Sequence, residues 1–191
     1  MFSDIHKSTI LHAKHQITEK VKDMAVGLWG DYALPWKDVF LSGGAIGSLL
    51  RGEAPKDWDF YFTTEKSMNI FKQHLMRHPD RIMKVDEKYK ESVGVDGKMI
   101  TANAITMEDG SSFITMMYGS PDTIRSQFDY VHCTPYFSLE TAKLYISEKQ
   151  YHACVYKKLI VNNSRAVKKY RTEKFLSRGY KHEDSGYSWN P

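Results

Sequence analysis

The chain has little cysteine: Cys133 and Cys154 are the only two among 191 residues. Their spacing matches no metal-ligand motif, and one pair cannot build a disulfide framework. A reduced pair in a cytoplasmic protein is therefore expected. No apolar run is long enough to span a bilayer. Residues 1–20 alternate polar and apolar side chains and contain no signal-peptide core. There is no internal repeat and no low-complexity block. A large excess of one charge is missing too. The 27 basic and 23 acidic residues leave a net charge of +4, too little to identify a nucleic-acid partner by itself. What is present is 41% hydrophobic and 13% aromatic residues. That composition predicts a globular protein with one good core, or one domain with a helical extension.

The apolar residues Ile10, Ala13, Ile17, Val21, Met24 and Leu28 recur at three- and four-residue steps. They predict an amphipathic helix over 3–29, capped by Ser3 or Asp4. His6, His12 and His15 lie on it without acidic partners and read as surface residues. A second helix is expected through Met68, Ile70, Phe71 and Leu75, ending near Pro79. Strands are expected at 81–85, 99–107 and 112–118. Gly94 and Gly97 flank one turn, and Asp109-Gly110 signals a hairpin. Pro121 to Ser126 fits a short helix, Gln127 to Cys133 another strand, and Leu144 to Ile146 a short one. The rest of 139–175 reads as helical.

The chemistry concentrates earlier. Val39, Phe40 and Leu41 lead into Ser42-Gly43-Gly44, Ala45 to Leu50 form a short helix, and a turn delivers Asp57-Trp58-Asp59 onto the next strand. In a strand, residues i and i+2 share a face, so Asp57 and Asp59 project together and Trp58 points into the core. Paired carboxylates suit a divalent metal. A glycine turn opening a helix suits phosphate, because no Cβ keeps the ligand from the backbone.

This segment, Phe40 to Phe62, resembles the nucleotidyltransferase superfamily (the DNA polymerase β-like fold). Gly43, Gly44, Leu49, Leu50, Gly52, Asp57 and Asp59 match most closely the poly(A) polymerase and tRNA nucleotidyltransferase branch. Gly47-Ser48 stands near where that branch carries an Arg-Asp pair. The resemblance implies an α+β fold, a mixed sheet flanked by helices, with an N-terminal helix and a helical C-terminal extension. It divides the chain into a nucleotidyltransferase-like domain over 1–150, a basic helical extension over 151–178 and a flexible tail over 179–191. It also implies a small phage or bacterial cytoplasmic protein, in the host cytoplasm if phage-encoded.

The implied reaction is metal-dependent transfer of a nucleoside monophosphate from a nucleoside triphosphate to a hydroxyl, releasing pyrophosphate. Two magnesium ions would be held by Asp57 and Asp59, with Asp129 as third carboxylate. The branch places its third acid just before a Thr-x-Asn-Ala run. Here Thr101-Ala102-Asn103-Ala104 has no acid before it, which favours Asp129, an acid between Phe128 and Tyr130. The bland reading of Asp129 is a carboxylate that pairs with a lysine or caps a turn. Ser42, Gly43 and Gly44 would hold phosphates, with Lys56 and Arg51 adding charge or simply facing solvent. The basic residues from Lys157 to Lys181 would hold an RNA or tRNA acceptor, or form a solvated face. Two alternatives stand beside this: a nucleotide- or RNA-binding protein without turnover, and a toxin-type transferase acting on tRNA or protein.

Overall fold

The computed structural model describes residues 2–29, 34–77 and 104–183. Helix α1, Asp4–Trp29, begins where the Ser3 side chain accepts from the His6 N–H at 3.3 Å. Its stripe buries Ala13, Ile17 and Met24 against the main core, with Ile10 and Val21 partly covered. Strand β1, Val39–Ser42, runs through the glycine turn into α2, Gly44–Leu50. The chain returns as β2, Trp58–Phe62, and α3, Glu65–Met76, which Thr64 caps by accepting from the Ser67 N–H at 3.1 Å. Next come β3, Ala104–Thr106, and β4, Ser111–Tyr118, joined through Gly110 at φ +80°. A short α4, Pro121–Arg125, leads on to β5, Tyr136–Ser138, and β6, Lys143–Tyr145.

Strands β1 to β6 form one mixed sheet in the order β3-β4-β2-β1-β5-β6. Among the described residues of this sheet, β2 and β4 alone pair in parallel. Strand alternation sorts the side chains. Val39, Leu41, Phe60, Phe62, Phe113 and Phe137 join α1, α2 and α3 in the main core. Phe40 and Tyr61 point to the other face with Ile124 of α4. Trp58 shares the face of Phe60 and packs partly buried on the main core, as its position between two aspartates requires.

Helix α5, Glu148–Val155, carries a reciprocal cap in which Ser147 and Gln150 satisfy each other's backbone N–H. It lies close to α2 because residue 47 is glycine. A Cβ there would stand 3.3 Å from Arg51 Nη1 and 3.5 Å from Cys154 Sγ. Gly47 thus serves a helix–helix contact. The contact also joins residues on both sides of the boundary expected at 150.

The C-terminal part differs from the sequence reading. Residues 127–133 are not a strand. They form a turn, a single bridge from Tyr130 to Val161 and a 3-10 turn over Val131–Cys133. The Asp129 side chain causes part of this, because its Oδ1 accepts the adjacent Tyr130 N–H at 3.0 Å. The basic extension is not one helix either. It comprises β7, Lys158–Leu159, a 3-10 turn over Ser164–Ala166, and α6, Lys169–Ser177. The expected tail begins as ordered chain. Tyr180 is buried, and β8, Lys181–His182, pairs in parallel with β7. Tyr130, Cys133, Leu159, Phe175 and Tyr180 form the second core that holds this layer. The expected strand at 81–85, the Gly94–Gly97 turn and residues 184–191 of the tail lie outside the described residues. So does the strand expected at 99–107, up to residue 103.

Candidate active site

The glycine turn and β2 meet at a cavity of about 430 Å³. Gly43, Gly44, Lys56, Asp57 and Asp59 all line it, so five of the seven residues expected to form the site come together. Gly43 takes φ +101°, a conformation strained for any side chain, and a Cβ on it would stand 3.1 Å from Oδ2 of Asp59. Glycine here lets the turn close onto the acid. Asp59 is half-buried on β2, and Asp57 is exposed immediately before the strand. Burial, then the nearby Asp57 charge, push the Asp59 carboxyl up to about 6, while Lys174 and Arg171 oppose the shift.

Ser42 and Asp129 do not line the cavity. Ser42 is fully buried, and its hydroxyl donates to the carbonyls of Pro135 at 2.8 Å and Cys133 at 3.3 Å. It fastens β1 to the segment before β5. The Gly43 N–H is likewise committed, to Cys133 O at 3.1 Å. The exposed Gly44 opens α2, where the first N–H groups have no carbonyl one turn back.

Asp129 is 3% exposed, and its carboxylate is gripped by Arg171. Arg171 Nε donates to Oδ2, and Nη2 donates to Oδ1 at 3.2 Å. A buried carboxylate needs a partner, and this one has an arginine fork. The hydrogen bond to Asp129 raises Arg171 above its usual range despite burial. Among the described residues no three His, Cys, Asp or Glu side chains gather as a metal-holding group. Asp57 and Asp59 nevertheless fit magnesium, which commonly takes one or two carboxylates and completes its shell with substrate phosphates and water. Their mutual repulsion at a half-buried position is what a divalent cation would relieve.

The cavity holds residues that sequence reading placed elsewhere or left open. Arg171, Lys174 and Arg178 of the basic stretch line it, so they stand beside the paired acids. Helical spacing was the available signal for Arg171 and Lys174, three residues apart on one face of α6, with Arg178 following as its C-cap. Arg51 also lines the cavity, and it is mainly a tie. It donates to Cys154 O and to Glu53 Oε2, both at 2.8 Å. Lys157 holds the other oxygen of Glu53 at 3.2 Å. Tyr61, Phe128 and Tyr180 supply aromatic wall.

Residues 9–157 match the profile of the Gabija anti-defense 2 family. The chain belongs to that family. A comparison with curated proteins gave no match. Among solved structures, this family member is similar to a CCA-adding enzyme in complex with ATP, with a TM-score of 0.55 and 13% identity over 87% of this chain and 41% of that one. It is similar to a tRNA-processing enzyme in its apo form, with a TM-score of 0.54 and 14% identity over 90% of this chain and 44% of that one. The Thermotoga maritima CCA-adding enzyme complexed with tRNA gives a TM-score of 0.51 and 14% identity, over 77% of this chain and 35% of that one. These matches establish a nucleotidyltransferase-like fold, and the chain spans less than half the length of each. No helix among the described residues is long and apolar enough to cross a membrane.

Proposed function

We propose that the protein is a nucleotidyltransferase that moves a nucleoside monophosphate from a nucleoside triphosphate to a hydroxyl acceptor. The observation that carries this reading is the meeting of Gly43, Gly44, Asp57 and Asp59 in one cation-rich cavity. Asp57 and Asp59 would hold magnesium, which when bound lowers the pKa of an attacking hydroxyl and offsets charge on the leaving group. The bond that forms joins the acceptor oxygen to the α-phosphorus. The bond that breaks frees pyrophosphate, and the hydroxyl proton passes to solvent. The bare Gly43 turn packs against Asp59 and holds it in place, and Gly44 offers an N–H at the start of α2. Lys56 adds positive charge on the same wall.

The family name supports a role against a host defence system, exercised in the host cytoplasm. The acceptor is then a hydroxyl on RNA or on a component of that system. The similarity to tRNA-handling enzymes favours RNA. The deciding experiment incubates the protein, magnesium and each α-labelled nucleoside triphosphate with lysate from defended cells. Label on one macromolecule, lost in Asp57→Asn and Asp59→Asn, is the expected result. Equal labelling by a folded Asp59→Asn variant refutes the assignment.

One observation favours a second reading, nucleotide binding without transfer. Asp129, the acid expected to complete a two-ion site, is committed to Arg171. Magnesium-dependent thermal stabilisation by a nucleoside triphosphate, with no label transferred to any acceptor, is the outcome that selects this reading.

A further inference from the structure

One face of α6 carries Arg171 and Lys174, Arg178 follows as its C-cap, and all three line the cavity with Asp57 and Asp59. The other face balances its own charge, with Lys169 and Glu173 paired at 3.9 Å. On the cavity side Arg171 is paired with Asp129. Among the described residues Lys174 and Arg178 make no ion pair. Glu53 does not serve them, because Arg51 and Lys157 already bracket it. Burial, then Arg178 and Arg171, lower the pKa of Lys174, and Asp57 and Asp59 oppose that shift. Of the acids that line the cavity among the described residues, Glu53 is taken by Arg51 and Lys157, which leaves Asp57 and Asp59 to face these cations.

The helix is held in place for this. Tyr130 and Thr172 share a hydrogen bond of 2.6 Å between their hydroxyls, and Phe175 is buried in the second core. Asp129 accepts from Arg171 through both carboxylate oxygens, which sets the plane of the guanidinium. That leaves Nη1 and one hydrogen of Nη2 for a ligand. Asp129 is itself fixed from both sides. Its Oδ1 takes the Tyr130 N–H, and its carbonyl takes the Asn162 N–H at 2.8 Å.

We infer that this face of α6 is an anion subsite that takes the polyphosphate of the nucleotide, and that Asp129 is the positioning residue that aims Arg171 into it. The identity of the ligand as a nucleotide rests on the transferase reading. The anion subsite itself does not. Sequence reading assigned the same basic segment to a nucleic-acid acceptor, so a nucleic-acid phosphate is the competing source of the anion.

The test is calorimetric titration of the full chain with inorganic tripolyphosphate, without divalent metal. Wild type binds. Lys174→Gln with Arg178→Gln, both exposed positions, weakens binding roughly 100-fold, at about tenfold per charge-assisted contact, with an unchanged melting temperature. Arg171→Lys keeps the charge but loses the fork, and weakens binding as well. Asp129→Asn removes a negative charge, so charge alone would tighten the anion. A positioning role predicts weaker binding instead. Nucleoside triphosphate displaces tripolyphosphate, and single-stranded RNA of equal phosphate content does not.

Wild-type affinity in the Lys174/Arg178 double variant overturns the subsite, whatever label transfer shows. Unweakened binding in Asp129→Asn or in Arg171→Lys overturns the positioning role. Displacement by RNA but not by nucleotide overturns the ligand assignment. Intact tripolyphosphate binding with no metal-dependent transfer overturns the transferase reading alone.

Discussion

Oδ2 of Asp59 lies 3.1 Å from where a side chain on Gly43 would begin. A turn and an acid sixteen residues apart in sequence are thereby locked together, since the turn must stay bare for the acid to keep its place. Gly43→Ala meets two penalties at once, a Cβ at φ +101° and a clash with a carboxylate oxygen. The expected cost is about 1–3 kcal/mol in chemical denaturation. Because Asp59 must shift, nucleotide-dependent magnesium binding falls as well. Gly44→Ala, where a Cβ meets nothing within 4 Å, is the control and is expected to be nearly silent in stability. Equal effects at the two glycines would remove this role for Gly43.

The local part of this arrangement was legible in sequence. Strand, glycine turn, short helix and paired-acid strand are fixed by near neighbours, and Gly43, Gly44, Lys56, Asp57 and Asp59 all reach the cavity. What failed to show depends on distant partners. The Ser42 hydroxyl goes to a carbonyl 93 residues away, and the Asp129 carboxylate to an arginine 42 residues away. Nothing in the run Gln127 to Cys133 tells a strand from a bridged turn, because its apolar residues pack on α6 and β7. Strand β5 is three residues long and was invisible to periodicity. It exists because β1 and β6 flank it.

Gly47 makes a second packing prediction. A leucine there forces α2 away from α5, since even a Cβ sits 3.3 Å from Arg51 Nη1 and 3.5 Å from Cys154 Sγ. Overpacking of this kind costs about 1–3 kcal/mol. It also strains the Arg51 hydrogen bond to Cys154 O. The urea midpoint of Gly47→Leu should fall while Gly47→Ala falls much less. A leucine variant as stable as wild type would show that the two helices are not in close contact.

Asp59 should trade stability for function. Its folded carboxyl titrates at about 6, against a usual value near 3.8, with burial the main cause. Between those values the folded state binds more protons than the unfolded state, so stability falls as pH rises through the window. Asp59→Asn does not titrate. In metal-free buffer above pH 6 it should therefore melt higher than wild type, by roughly 2–4 °C for each kcal/mol relieved. Near pH 4 the difference should vanish. Magnesium with nucleoside triphosphate should raise the wild-type melting temperature at pH 7.5 and leave the asparagine variant unmoved. A variant less stable than wild type at pH 8 would mean that the Asp59 charge is already satisfied by the protein.

Burial of His132 makes the fold less stable in acid. It is 1% exposed, between the rings of Phe175 at 4.5 Å and Tyr180 at 4.4 Å. Burial lowers its pKa to about 3, with Arg51 and Arg171 acting the same way and the Asp129 charge and the Lys158 backbone opposing. The unfolded imidazole titrates near 6.5. Between pH 6.5 and 3 the unfolded state therefore binds the extra proton, and stability is lost as pH falls through that window. At pH 5 the expected loss from this residue is about 2 kcal/mol, at about 1.4 kcal/mol per pH unit. His132→Leu keeps an apolar side chain between the rings and removes the titration. Its stability relative to wild type, from urea midpoints at pH 7 and pH 5, should improve by about that amount on acidification. Taking the difference between the two proteins cancels Asp59 and every other carboxylate. A relative stability that does not change between pH 7 and pH 5 would place the proton on His132 in the folded state and open the second core to water.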